Sequence, residues 1–238
     1  MPLELSVIIP VWQEGDRIRP CLDHLAAIAG EITYEAIVVD GDSQGSTLQH
    51  LPTHGLTLQG IRAAPGRGTQ MNAGAQLAQG RIVLFLHVDT RLPQQAFPQI
   101  LAVCDRPGIA GGAFDLAIAS SRRSLQMIAK VASWRSRLTR IPYGDQAIFL
   151  RKDIFEAVQG YPNIPIMEDV ALMQRLKQNR YAIEILPDPV KTSPRRWETE
   201  GILRCTLRNW SLIALYYGGI APETLVRWYR PRPATPCN

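Results

Sequence analysis

Only four cysteines occur in 238 residues, and they are scattered. Cys21, Cys104, Cys205 and Cys237 lack the short spacing of a zinc site or a redox pair. They read as reduced thiols in a cytosolic chain. The opening Met1-Pro2-Leu3-Glu4-Leu5 has no basic stretch leading into an apolar one, so no signal peptide is expected. No segment reads as a transmembrane helix. The apolar run Trp210 to Tyr217 falls far short of the roughly 20 residues that cross a bilayer. Internal repeats, low-complexity tracts and a clear linker are also missing. The length suits one domain, or one domain with a small appendage.

Lysine is scarce, and arginine carries most of the positive charge. The formal net charge is +5. From Lys191 onward, eight positive residues (Lys191, Arg195, Arg196, Arg204, Arg208, Arg227, Arg230 and Arg232) face only Glu198, Glu200 and Glu223. That stretch alone accounts for the charge of the whole chain. It suits a phosphate-rich partner: a nucleotide, a nucleic acid or an anionic membrane.

What is present is a rhythm of buried strands alternating with helices. Leu5 to Pro10, Glu35 to Asp40, Leu56 to Ile61 and Ile82 to Leu86 are short apolar runs that read as strands. Between and after them, Arg17–Ala29, Arg67–Gln79 and Gln94–Val103 carry apolar residues at helical spacing. This alternation predicts a parallel sheet covered on both faces. Further along, Gly111 to Leu116, Ala147 to Leu150 and Tyr181 to Leu186 read as strands of a mixed sheet. Ser121–Arg140 reads as a basic amphipathic helix, Val170–Gln178 as a helix begun by acids, Glu198–Tyr217 as one long helix, and Thr224–Tyr229 as a short one.

Several strands end in polar turns. Phe85-Leu86-His87-Val88-Asp89-Thr90 ends an apolar run in a carboxylate. Open α/β sheets bind ligands past the carboxyl ends of parallel strands. Asp40-Gly41-Asp42-Ser43 repeats the pattern, with Gly41 and Gly45 permitting a tight loop; Ser43 or Ser46 alternatively caps the next helix. In Pro65-Gly66-Arg67-Gly68-Thr69-Gln70-Met71-Asn72, Arg67 begins a helix whose N-terminal amides favour anions. An arginine there is repelled by the dipole unless an anion lies between. Asn72 comes about one turn later. The glycine spacing is not that of a dinucleotide fingerprint. Met167-Glu168-Asp169-Val170 places two acids at a helix start, where acids are otherwise common caps.

Taken in order, these motifs resemble an inverting glycosyltransferase of family 2, from about Leu5 to Trp197. More narrowly, they resemble the small bacterial selenodomain-associated branch, whose members include diaponeurosporenoate-type (carotenoid-acid) glycosyltransferases. The resemblance implies a GT-A fold: a Rossmann-like, mixed, mostly parallel sheet flanked by helices. It divides the chain into a transferase domain, 1–197, and a C-terminal amphipathic helical appendage, 198–238.

The resemblance also assigns roles. Pro10, Val11 and Glu14 in Ser6-Val7-Ile8-Ile9-Pro10-Val11-Trp12-Gln13-Glu14 match the nucleoside grip. Asp40, with Asp42, matches the acceptor of the base N–H, usually uracil. Arg67, Asn72, Val88 and Arg196 join the nucleotide-sugar site. Asp89 matches the ligand of Mn²⁺ or Mg²⁺, a hard ion that needs only one or two protein ligands. The family carries a second acid two places before it, where this chain has His87. Asp169 matches the general base, and Glu168 orients it or the acceptor. Gly112, Asp145 and Gln146 match acceptor-side walls. In Ser193-Pro194-Arg195-Arg196-Trp197 a serine stands where processive relatives have glutamine, which argues against polymer synthesis.

The expectation is an enzyme that moves one sugar from a UDP-linked donor to a hydroxyl or carboxyl acceptor. A lipid-like, carotenoid-like or small-molecule acceptor fits; nucleic acid does not, because strand-end acids oppose phosphate. The localisation expected is cytoplasmic, with peripheral contact at the cytoplasmic membrane face through Ser121–Arg140 and the C-terminal arginines. A helix packing its aromatics on the core is the alternative for the C-terminal segment. The rival function is a catalytically weak nucleotide-sugar-binding or scaffold protein of the same fold. A nucleotidyltransferase is disfavoured, because Val11-Trp12-Gln13-Glu14 offers no glycine-rich basic loop after the first strand.

Overall fold

The computed structural model describes residues 3–52 and 57–229. Leu56, Arg230, Arg232 and Cys237 lie outside the described residues, as does the end of the segment 198–238. The strands are β1 (Leu5–Val11), β2 (Tyr34–Asp40), β3 (Leu58–Arg62), β4 (Ile82–Phe85), β5 (Thr90–Arg91), β6 (Ile109–Ile118), β7 (Phe149–Arg151) and β8 (Ala182–Thr192). The helices are α1 (Gly15–Ile28), α2 (Arg67–Leu77), α3 (Ala96–Cys104), α4 (Arg123–Thr139), α5 (Lys152–Ala157), α6 (Glu168–Gln178), α7 (Arg195–Glu200), α8 (Ile202–Tyr217) and α9 (Pro222–Tyr229).

The strands form one mixed sheet in the order β3-β2-β1-β4-β7-β6-β8-β5. The β1–β2, β1–β4, β2–β3 and β6–β8 pairs are parallel, and β7 runs antiparallel between β4 and β6. Alternation along each strand sends side chains to opposite faces. Val7, Ile9 and Val38 join Leu22, Phe97, Ile100 and Leu125 of α1, α3 and α4 in one core. Ile8, Ile37 and Val39 join Met71, Leu172 and Met173 of α2 and α6 in the other. The mixed sheet between helical layers is the architecture the resemblance implied.

Three local differences have physical causes. The strand expected to stop at Leu186 continues to Thr192, because a bulge between Phe114 and Asp115 takes Pro187 and Asp188 out of the ladder. The long helix expected from Glu198 breaks at Gly201, whose φ is +86°. The two short elements β5 and α5 carried no periodicity to read. The C-terminal helices are packed against the domain: Leu212 of α8 and Leu225 of α9 are buried in the second core.

Because β1, β2 and β4 are parallel, their carboxyl ends lie side by side. The turns after Val11, Asp40 and Phe85 therefore meet at one edge, and the N-terminus of α2 faces the same edge.

Candidate active site

Asp40 ends β2 fully buried. Its Oδ1 accepts from the Asp42 amide at 2.9 Å and its Oδ2 from the Thr47 amide at 2.9 Å. The carboxylate pins both ends of the loop 41–47. The carboxylate expected to meet the base thus shapes that loop from behind. Asp42 accepts from the Ser46 hydroxyl at 2.6 Å and from the Gln44 amide at 3.1 Å. The Ser46 hydroxyl, then the Gln44 amide, hold its carboxyl below the usual range. Gln70, which carried no functional expectation, donates 2.8 Å bonds to the carbonyls of Val11 and Val39. One buried amide thus ties the ends of β1 and β2 together beneath the site. Val11 is buried, while Pro10 and Val88 are half-buried.

At the mouth stands an ion-pair bridge. Arg195 Nη2 lies 3.0 Å from Glu14 Oε1 and 3.4 Å from Asp89 Oδ2. Arg17 reaches Glu14 from the other side at 2.5 Å. Burial pushes the Glu14 carboxyl up, but the bonds from Arg195 and Arg17 outweigh it, and it lies below its ordinary value. The Asp89 carboxyl is raised by burial, with Arg195 opposing. Arg195 belongs to the site although the only signal for it was its place beside Arg196.

The second half of the site lies at the head of α6. Met167 precedes it in the left-handed region at φ 68°, and Ala147 comes after the Asp145 turn at φ 51°. Such backbone in residues other than glycine stores strain and often marks working sites. The two adjacent acids have separate fates. Glu168 is buried and pairs with Arg67 Nε at 3.0 Å; burial raises its carboxyl, against the pull of Arg67. Asp169 is half-exposed and accepts 2.7 Å bonds from the amides of Gly144 and Val170. The Val170 amide at the helix start and the Gly144 amide therefore hold a reachable carboxylate in place.

Around Asp169 stand groups that make the pocket unusual. A Cβ on Gly144 would lie 3.3 Å from His87 Nε2 and 3.6 Å from Asp169 Oδ2, so His87 faces the acid of α6. Burial, then the charge of Arg67, pushes the imidazole down to about 4; it is neutral at pH 7. Asp145 is pushed up to about 6 by burial and then by Asp169, and its Oδ1 is buried without a hydrogen-bond partner. Arg135 stacks 3.2 Å over the Tyr143 ring and is lowered to about 10 by burial. Tyr161 has a buried, unpartnered hydroxyl, raised by burial and then by Asp169. Arg135 and Tyr161 stand in segments without a motif, so the sequence offered no signal for them.

Arg196 lies 4.3 Å over the ring of Tyr229 at the end of α9 and 3.5 Å from Glu200. The Tyr229 hydroxyl also bonds Arg67. The C-terminal helices thus reach both arginines expected to meet the donor.

Three expected contacts are turned elsewhere. Asn72 bonds the backbone of Tyr161 twice, Nδ2 to the carbonyl at 2.8 Å and Oδ1 from the amide at 2.9 Å. It holds the 160–162 loop through both ends of its amide. Gln146 is fully buried; its Nε2 donates to Phe114 at 2.8 Å, and its Oε1 accepts from Ser136 at 2.6 Å and from the Tyr143 amide at 3.1 Å. It anchors the turn that carries Asp145. Gly112 is a sheet residue: a Cβ there would lie 2.2 Å from the Glu184 carbonyl oxygen and 2.8 Å from the Phe149 ring.

Among the described residues, Glu14 and Asp89 offer a donor set for a divalent cation. Glu14 and Asp89 converge on the same guanidinium nitrogen, so two carboxylates already surround one positive charge. A hard ion bound through one or two carboxylates, keeping its waters, suits that donor set. His87 points to α6, away from this pair. Among the described residues no group of three or more potential metal-binding side chains is present.

Comparison with known proteins is consistent with this geometry. Residues 6–159 match the family described as Glycosyl transferase family 2. A dodecaprenyl-phosphate galacturonate synthase of Rhizobium johnstonii is 25% identical over 56% of this chain and 40% of its own length. Glycosyltransferase AglE of Haloferax volcanii is 23% identical over 81% of this chain and 67% of its own. This chain therefore spans less than half of the first relative. Among solved structures, S. aureus TarS 1-349 in complex with UDP-GlcNAc superposes with a TM-score of 0.64 at 20% identity, over 80% of this chain and 58% of that one. Glucosyl-3-phosphoglycerate synthase from Mycobacterium tuberculosis, in complex with Mn²⁺, UDP and glucosyl-3-phosphoglycerate, gives 0.55 at 17% identity, over 80% and 70%. At such identities these structures establish the shared fold.

Proposed function

This chain belongs to glycosyl transferase family 2, and we propose that it moves a single sugar from a UDP-linked donor, with inversion, to a hydroxyl or carboxyl of a lipid-linked acceptor. The observation that carries the reading is Asp169: a reachable carboxylate fixed by two amides at 2.7 Å, beside a neutral imidazole and a hindered acid. For a hydroxyl acceptor, Asp169 takes the proton as that oxygen attacks the anomeric carbon opposite the diphosphate. Base catalysis of this kind is worth roughly 10²–10⁴-fold. A carboxyl acceptor is already ionised, and Asp169 would then only position it.

On the donor side, the loop 41–47 and the turn 10–14 form the nucleoside walls. Arg67 and Arg196 would meet the diphosphate through their planar guanidinium forks. Glu14 and Asp89 would hold the divalent ion. When bound, that ion supplies Lewis-acid stabilisation of the leaving group. Glu168 holds Arg67 in place, and Asn72 holds the loop bearing Tyr161. An isoprenoid or carotenoid-type acceptor is the specific class that the branch resemblance suggests. The prenyl-phosphate in the name of the Rhizobium relative favours a lipid carrier.

Calorimetric titration with UDP, with and without Mn²⁺, tests the donor half. Transfer from labelled UDP-sugars to a lipid extract, on wild type and Asp169→Asn, tests the rest. Metal-assisted UDP binding retained in the variant, with transfer at least about a hundredfold slower, is expected. Tight UDP binding without transfer in the wild type would favour the binding-protein rival. No binding of any nucleotide would remove the proposal.

A further inference from the structure

We infer that α4 forms a docking face for an anionic lipid bilayer, set beside the Asp169 pocket. The inference extends the functional reading to the surface on which the acceptor would be met, and its test needs no turnover. The helices α4 and α8 each carry an outward apolar stripe with no partner among the described residues, α4 on one face of the sheet and α8 on the other. On α4 the stripe is Met127, Val131, Trp134 and Leu138, between 42% and 68% exposed. On α8 it is Leu203, Leu207, Trp210 and Tyr217, between 51% and 72% exposed. The spacings of three, four and seven residues place each set on a single helix face. Exposed apolar residues scattered singly need no explanation, but aligned sets of this size do.

The last turns of both helices lie near the site. Tyr217 stands close enough to Arg135 to act on its charge, and Asp169 stands close enough to Tyr216 to act on its hydroxyl. The last turns of α4 and α8 therefore flank the acceptor side of the pocket, and exposed Trp134 and Leu138 lie on the helix that carries Arg135.

Charge selects the occupant. Between Asp115 and Asp145 the chain has no acid, while Arg122, Arg123, Lys130, Arg135, Arg137 and Arg140 are all basic. Arg137 pairs with Asp115 at 2.9 Å and Arg135 turns inward. Arg122, Arg123 and Lys130 are exposed and have no ion pair among the described residues. Arg204 and Arg227 add exposed positive charge on α8 and α9. An apolar stripe with basic flanks is the composition that seats a helix in the interface of an anionic membrane. A second copy of the chain fits less well, since a two-fold contact through α4 would bring together two copies of a basic helix that carries no acid. No helix among the described residues is long and apolar enough to cross a membrane, so the contact is a surface one.

The test is flotation of the full chain with vesicles of phosphatidylcholine alone and of phosphatidylcholine with phosphatidylglycerol, at physiological salt. Co-flotation with the anionic vesicles alone is expected, released by high salt. Trp134→Gln with Leu138→Gln, and separately Arg123→Gln with Lys130→Gln, should each weaken partitioning roughly tenfold or more. UDP titration of the same variants should be unchanged, which separates this inference from the donor site. Absence of wild-type binding to anionic vesicles overturns the proposal, as does equal flotation by both double variants. A dimer, seen by light scattering, that the Trp134/Leu138 variant dissolves would assign the face to a second copy and overturn it too.

Discussion

Asp40→Asn should loosen the nucleotide loop by a calculable amount. The native carboxylate accepts two amide bonds, from Asp42 and Thr47, both at 2.9 Å, in a fully buried position. An asparagine keeps the size and one acceptor oxygen, but turns an NH₂ group towards the other amide. One bond to a charged acceptor is lost, worth about 1.5–3 kcal/mol, and a buried donor is left unpaired, costing about 1–3 kcal/mol. The two descriptions overlap, so the expected loss is about 2–3 kcal/mol. For a chain of this size that lowers Tm by roughly 4–12 °C. The Thr47 hydroxyl accepts from the Glu14 amide at 3.0 Å, so the disturbance should pass to the mouth and weaken UDP binding secondarily. Urea unfolding gives the stability, and calorimetry gives the UDP affinity. A loss under about 0.5 kcal/mol together with abolished UDP binding would refute the reasoning. It would mean that the carboxylate meets the base directly and the loop is held by something else.

The remaining predictions concern charge. Asp145 has its pKa raised to about 6, so its contribution to stability is present below about pH 4 and is lost as pH rises to about 6. Asp145→Asn should therefore gain stability relative to wild type at pH 7 and lose that advantage near pH 4, read from urea midpoints at both values. His87 works in the opposite sense. Its folded value, about 4, lies below the ordinary one, so its stabilisation is present above about pH 6.5 and fades as pH falls to about 4. His87→Asn should flatten the acid side of the stability curve by up to about 2–3 kcal/mol after solvent screening is allowed for. Arg195→Gln should raise Mn²⁺ affinity by about two- to tenfold, because it frees Glu14 and Asp89 from two half-exposed ion pairs. Electron paramagnetic resonance of free Mn²⁺ in the absence of nucleotide measures this, and unchanged affinity would place the metal elsewhere.

The local order of residues determined much of this protein. Short apolar runs ending in Asp40 and Asp89, and helical periodicity between them, required parallel strands with polar turns at one edge. Strand alternation and buried β-branched residues are properties of a few neighbours, and they survive any packing. The acid pair at 168–169 and Arg67 at a helix start were visible for the same reason. Which of the adjacent acids is reachable was not. Only packing buried Glu168 against Arg67 and left Asp169 open. Asn72 and Gln146 looked like ligand contacts because an amide can serve a sugar or a backbone equally well. Their partners, Tyr161 and Phe114, stand 89 and 32 residues away, beyond any local pattern. Arg195 sits 181 residues from Glu14 and meets it because α7 comes directly after the end of β8. The meeting of Arg135 from α4 with Asp145 likewise needed the whole fold. Sequence set which side chains could carry charge; the tertiary fold decided which charges met each other and which met solvent, because burial and proximity are properties of the whole chain.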